Sequence, residues 1–297
     1  QIRSSAASDV YKRQVSASQV KELRDMSGVG MMECKKALVE TKGDLQKALD
    51  LLRANSSLKA EKKASRVAAD GAVKIAHNQA YMSLVEINSE TDFAAKDSKF
   101  KDFATEVANY LTNNQVNDID DLKTEFEGKR QTLIQSIGEN IQLRRLVTLE
   151  VPSNGCIGAY LHSDGRLAAI VSINTDNKEL AKDLAMHVSA TDPSCLKSED
   201  IDPELLERER SIFLTQAKDS GKDASIMEKM VEGKVKRFLS EVTLLSQGFI
   251  KDPDHSIEEL LNDNNTSIIS FARYKVGEGI EIEAKDFAAE VAEQLQQ

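Results

Sequence analysis

Two strand-like runs in like surroundings constrain this chain more than any other feature. LVEIN at 84–88 and IVSIN at 170–174 each put two β-branched residues on one face, Val85 with Ile87 and Val171 with Ile173. That is the period-two pattern of a half-buried strand. An acidic turn and an amphipathic helix follow each run. The first helix carries Phe100, Phe103, Ala104, Val107, Ala108 and Leu111, and the second carries Leu180, Ala181, Leu184, Ala185 and Val188. Both sets recur at helical spacing. Each unit then returns to a strand, RRLVTLEV at 144–151 and SIISFARYKV at 267–276. Such a chain must stack helices on sheets, so the fold class is α+β. The two units read either as a duplication or as two ordinary βα units, and the sequence leaves both open.

The flanking segments are helical. Over 15–54 the pattern gives three short helices. Ser16 and Gln19 have capping-box spacing, and Val20 and Leu23 form the apolar side. The turn Ser27-Gly28-Val29-Gly30 ends the first helix. Cys34, Ala37 and Leu38 share a face of the second, and Leu45, Ala48, Leu49 and Leu52 make the stripe of the third. Residues 55–80, rich in Ala and Lys, read as a linker with some helical tendency and a turn at Asp70-Gly71. The two core parts are expected at 81–152 and 153–280. Within the second, an insertion at about 195–250 reads as an antiparallel helical hairpin. Asp202-Pro203 opens its first helix, because proline suits a first turn, and Asp219-Ser220-Gly221-Lys222 reverses the chain. The stretch 281–297 reads as a C-terminal helical module, with Phe287, Val291 and Leu295 in register. Residues 1–14 show neither period nor cap and read as an extraneous, disordered leader.

Charge and cysteine usage narrow the classes of function. The 39 basic and 49 acidic residues give a net charge of −10, which phosphate backbones repel, so direct nucleic-acid binding is not expected. No run approaches the roughly 18 apolar residues of a membrane span. Cys34, Cys156 and Cys195 are odd in number and far apart, which argues for a reducing, cytoplasmic setting and against a disulfide framework.

Nucleotide, metal and catalytic signatures do not form. Gly128-Lys129 is followed by Arg130, and Gly221-Lys222 by Asp223, so no phosphate-gripping G-x-x-x-x-G-K-[ST] loop is completed. Gly28 and Gly30 join two helices, the wrong context for a dinucleotide site. His77, His162, His187 and His255 are scattered and make no zinc-ligand spacing. The acidic run from Asp118 to Asp121 reads as a solvated loop and helix start. The expectation is binding rather than covalent catalysis, with no cofactor and no metal.

A family resemblance sharpens this. VKELRDMSGVGMMECKKALVETKGD at 20–44, VAADG at 67–71 and EINSETDFAAKDSKF at 86–100 appear in order. IGENIQLRR at 137–145, AMHVSA at 185–190, KMVEGKVKRF at 229–238 and YKVGEGIE at 274–281 continue the series. Together they resemble the bacterial elongation factor Ts family over about 15–295. The resemblance implies a three-helix module like a ubiquitin-associated domain, a two-part α+β core, a coiled-coil hairpin and a C-terminal helical module. It also implies the partner, the GTPase elongation factor Tu, in its GDP-bound and nucleotide-free forms, and a role in translation as its guanine-nucleotide exchange factor.

By the same resemblance Thr91, Asp92 and Phe93 form the loop that inserts between helices of the GTPase and indirectly dislodges its magnesium. Phe93 is the wedge, Asp92 accepts hydrogen bonds, and Thr91 fixes the turn. Where the family often has Val after Phe, this chain has Ala94, which implies a loss of apolar contact. Arg24, Met31, Met32 and Lys35 match residues facing the GTPase domain, and His162 matches a histidine contacting the partner. The hairpin is a candidate for self-association or for contact with the partner. Two other classes remain as alternatives, a small-molecule enzyme using the α+β core and a scaffold using the helical module.

Overall fold

The computed structural model describes residues 15–218 and 223–281. The leader expected at 1–14, the turn expected at 219–222 and the helix expected at 284–295 lie outside the described residues. The described chain packs as two compact units, one of residues 15–76, 85–146 and 275–281, the other of 77–84 and 147–274 without the turn.

The first unit begins with three helices, α1 (Ala17–Ser27), α2 (Met31–Glu40) and α3 (Leu45–Lys63). Ser16 and Gln19 form the anticipated capping box, and Gly28 ends α1 at φ 67°. Leu23, Cys34, Leu38 and Ala48 have no exposure and centre a small core with Val20, Val29, Ala37, Leu49 and Leu52. The linker expected at 55–80 is not a linker for most of its length. α3 continues to Lys63 because Ser56 and Ala60 extend its buried stripe beyond Leu52. They are small residues and do not register as an apolar period. The turn expected at Asp70-Gly71 is instead the start of a strand. Gly71 sits at φ 137°, and a Cβ there would come within 2.1 Å of the Ile87 carbonyl oxygen. Glycine permits both the backbone angle and that approach.

Strands β1 (Asp70–His77), β2 (Tyr81–Ser89) and β3 (Ile141–Glu150) form a sheet in the order β1-β2-β3. Between β2 and β3 come α4 (Asp92–Lys96), α5 (Ser98–Asn114) and α6 (Ile119–Ile137). The predicted stripe of α5 is buried throughout, from Phe100 to Leu111. It meets Val85 and Ile87 of β2, and Leu122, Phe126, Leu133 and Ile134 of α6. Phe126 takes Phe103 and Tyr110 edge-on, at centroid distances of 5.8 and 5.2 Å, the arrangement favoured by the ring quadrupoles.

In the second unit β4 (Cys156–Leu161), β5 (Leu167–Ile173) and β8 (Ile268–Lys275) follow the order β4-β5-β8. β4 and β5 are antiparallel, with Cys156 opposite Ile173. Helix α7 (Lys178–Thr191) lies on this sheet. At Gly158 a Cβ would meet the Ala181 carbonyl carbon at 2.0 Å, so the missing side chain sets how closely helix and sheet approach. Each sheet is thus a hairpin whose second strand also pairs with a strand returning after the helix.

The stretch between α7 and β8 contains α8 (Pro203–Lys218) and α9 (Ala224–Val242). Phe213 meets Phe238 edge-on at 6.3 Å, and Ala217 and Val231 are buried. A two-stranded ribbon, β6 (Gly248–Phe249) with β7 (Asp252–Ser256), and helix α10 (Ile257–Asp263) follow. None of these three short elements shows a period in the sequence. Phe249, Ile257 and Leu261 join the core beneath α7.

Candidate partner-binding site

From Ser83 to Ser89 every residue of β2 is buried. The strand then gives way at once to a turn whose groups are almost all held. Thr91 has extended backbone angles, φ −132° and ψ 161°, and caps α4. Its hydroxyl oxygen accepts the Ala94 N–H at 3.3 Å, satisfying one donor that a helix start leaves open. The hydroxyl itself donates to Glu139 Oε1 at 2.7 Å, and the Thr91 N–H donates to Glu139 Oε2 at 2.9 Å. Ser89 donates to the Thr91 carbonyl at 2.9 Å. In the opposite sense, the Asn140 N–H donates to Glu90 Oε1 at 2.6 Å.

A third segment joins these two. The Asn140 side-chain amide donates to the Arg66 carbonyl at 2.8 Å, and the Lys63 ammonium donates to the Gly138 carbonyl. Burial, with help from the Arg66 charge, pushes the Lys63 pKa below the usual lysine range. Three chain segments, 63–66, 89–91 and 138–140, are therefore clasped together. Gly138 makes this possible by ending α6 at φ 90° with its N–H on the Ile134 carbonyl, the left-handed cap that reverses a chain.

On this anchored base α4 lasts only five residues before Asp97 leaves the helical region and caps α5. Ala94 points inward with 4% exposure, whereas Phe93 is 80% exposed. Among the described large hydrophobic residues no other is so exposed. Asp92 pairs with Lys96 at 2.6 Å on the surface, a contact worth under about 1 kcal/mol. The turn thus presents an uncovered aromatic ring beside a carboxylate from a rigid base.

Arg24, Met31, Met32 and Lys35 are all exposed on α1 and α2. Met31 and Met32 retain 44% and 67% of their surface, and Met26 at 52% adds to the same kind of surface. Glu33, on the same helix, is tied down. Lys59 of α3 pairs with it and Gln135 of α6 donates to it at 2.6 Å. Burial opposes its ionisation, but the Lys59 and Gln135 hydrogen bonds outweigh burial and hold its pKa below the usual range. His162 belongs to the other unit. It lies in the β4–β5 turn with its N–H on the Leu167 carbonyl at 2.8 Å and its ring 2.9 Å from Asp164.

A model of the family described as "Elongation factor TS" matches residues 90–278. The chain is 48% identical over 284 residues to the elongation factor Ts of Hahella chejuensis, covering 95% of this chain and 98% of that one. It is 47% identical to that of Saccharophagus degradans, again over 284 residues and the same shares of each chain. It is 45% identical over 280 residues to that of Yersinia pestis, covering 94% and 97%. The chain belongs to the elongation factor Ts family.

Membership gives the exposed turn a context. Glu90, Glu139 and Asn140 lie inside the motifs EINSETDF and IGENI, yet only the fold brings them together. Met26 lies in the last turn of α1, just before the S-G-x-G turn and away from any stripe. A cleft of the first unit, about 980 Å³, is lined by Met26, Leu49, Lys99, Phe103, Lys129 and Leu133 among others, and neither Thr91 nor Phe93 borders it. The exposed turn is a projection rather than a pocket, which suits contact with a macromolecule better than enclosure of a small substrate.

Proposed function

We propose that this protein is the guanine-nucleotide exchange factor of elongation factor Tu. It binds the GDP form, inserts the turn at Thr91-Asp92-Phe93, disturbs the magnesium and phosphate site, releases GDP and leaves the GTPase open to GTP. The observation that carries this reading is Phe93, 80% exposed on a turn that three chain segments hold in place. An exposed phenylalanine forgoes roughly 1.5–3 kcal/mol of burial, so a site that retains one on a rigid base is poised to bury it in a partner. Its ring offers a large stiff contact with little entropy to lose. The exchange itself needs no covalent step. A factor that favours the nucleotide-free GTPase must weaken nucleotide affinity by the same ratio.

On the same reading α1–α3 form the module like a ubiquitin-associated domain, and Arg24, Met31, Met32 and Lys35 supply contact with the GTPase domain. The adaptable methionine side chains suit such a surface. His162 adds a contact from the second unit. Helices α8 and α9 form the coiled-coil hairpin, a surface for self-association, and the protein works in the cytoplasm.

The test preloads elongation factor Tu with fluorescent GDP and chases with unlabelled nucleotide. Catalytic amounts of this protein should accelerate release many-fold. An unchanged rate would reject the reading.

A further inference from the structure

Thr91 occupies a helix cap, and caps of this type are usually self-sufficient, a hydroxyl accepting one backbone N–H. Here the cap has a second layer. Both carboxylate oxygens of Glu139 are engaged by Thr91, one by its N–H at 2.9 Å and one by its hydroxyl at 2.7 Å. Because the hydroxyl proton points to Glu139, the oxygen is left as an acceptor facing the Ala94 N–H at 3.3 Å. A carboxylate is an acceptor at both oxygens, so each of the two donors meets an oxygen of its own, which the single amide oxygen of glutamine cannot offer. Glu139 therefore fixes the rotamer of Thr91, the direction of the first turn of α4, and with it the orientation in which Phe93 leaves the surface.

We infer that Glu139 is a positioning residue for the exchange turn. It touches neither nucleotide nor partner in this role. It acts by keeping the turn at Thr91–Phe93 in its inserting conformation before contact, so that ordering is not charged against binding. Glu90 and Asn140 complete the clasp in the reverse direction, at 2.6 Å. They hold the two segments together when Glu139 is changed, which makes the Glu139 contribution separable from folding. The inference rests on the exchange reading above.

The experiment measures GDP release from elongation factor Tu against the concentration of exchange factor, separating the plateau rate from the half-saturating concentration. Five proteins are compared: the parent, Glu139→Gln, Glu139→Ala, Thr91→Val and the double variant carrying Glu139→Gln and Thr91→Val. Glutamine keeps the size and removes one acceptor. The expected result is a plateau at least about tenfold lower for Glu139→Ala, the scale of losing hydrogen bonds to a charged group, with Glu139→Gln between it and the parent. The half-saturating concentration should change less than the plateau. Adding Glu139→Gln to Thr91→Val should cost little more than Thr91→Val alone, since one contact is removed twice.

Plateaus within twofold of the parent for both Glu139 variants overturn the inference and leave the exchange reading standing. A parent protein that does not accelerate release rejects the exchange reading and this inference with it. If Glu139→Ala unfolds, the decision passes to Glu139→Gln and to amide hydrogen exchange at residues 91–96. Faster amide exchange there with a lower plateau supports the inference, and unaltered protection with a parental plateau overturns it.

Discussion

Phe93 and Phe100 are seven positions apart, on consecutive helices, and do opposite work. Phe93 is 80% exposed and Phe100 has no exposure. Replacing Phe100 by Ala should cost about 3–5 kcal/mol of folding free energy, the transfer loss plus the cavity left behind. Phe93→Ala should change stability by less than about 0.5 kcal/mol, as surface substitutions do. Urea unfolding of the two variants checks that contrast. In the exchange assay the ranking should reverse, with folded Phe93→Ala slowing GDP release far more than it weakens the complex. Equal release by Phe93→Ala and parent would mean that the wedge lies elsewhere. Ala94 belongs to this scale too. Its methyl group is buried at 4% exposure, so this position faces the protein's own interior, whereas the Phe93 ring faces outward.

At the scale of elements, the second unit carries a pH dependence in the joint between α7 and β6. His187 is fully buried, takes the Ile250 N–H on Nδ1 at 3.2 Å and shares a hydrogen bond with Gln247 through Nε2 at 3.0 Å. With Nδ1 accepting, the ring must be neutral and Nε2 must donate. Burial pushes its pKa below the usual histidine value, against the raising effect of Gln247. A histidine depressed in the folded state contributes stability that is complete above its unfolded pKa of about 6.5 and is lost as pH falls toward the folded value. His255 has the opposite sign, because Asp252 raises its pKa. It contributes below about pH 6.5 and loses that contribution as pH rises through its folded value. His255 is solvent-exposed and screened, so His187 should win. The urea midpoint should fall between pH 7.5 and 5.5, and His187→Gln should flatten that fall. A midpoint rising toward acid would show that the exposed pair dominates.

What could be read from sequence at this scale follows from period and cap. The stripe of α5, the box at Ser16 and the proline opening α8 are local signals, and each maps onto an observed element. The second half of α3 was hidden because serine and alanine line its buried face. The β6–β7 ribbon and α10 are too short for a period to accumulate. The clasp was invisible for another reason. Glu139 and Thr91 are separated by the whole of α4, α5 and α6, and nothing in either segment specifies that a carboxylate will meet a threonine. Only the pairing of β3 beside β2 does that.

For the whole molecule, the strongest consequence of the proposed function is thermodynamic and does not depend on any single contact. If binding of this protein weakens the affinity of elongation factor Tu for GDP by some factor, GDP must weaken the affinity of the GTPase for this protein by that same factor. The factor measures how much better the protein fits the nucleotide-free form, since a ligand binding both forms equally would shift nothing. The surfaces on α1 and α2 and the turn at Phe93 then divide the labour. Contacts made equally in both forms set the affinity, and only contacts that compete with the magnesium and phosphate site set the coupling. Titrating this protein into the GTPase with and without saturating GDP gives one ratio, and titrating GDP with and without this protein gives the other. The two should agree for the parent and shrink together for Phe93→Ala, toward unity if the ring is the main competitor. Substituting Met32 by Ala should lower affinity in both titrations and leave the ratio unchanged. A Met32→Ala variant that lost coupling while Phe93→Ala kept it would transfer the wedge from the β2–α4 turn to the helical module.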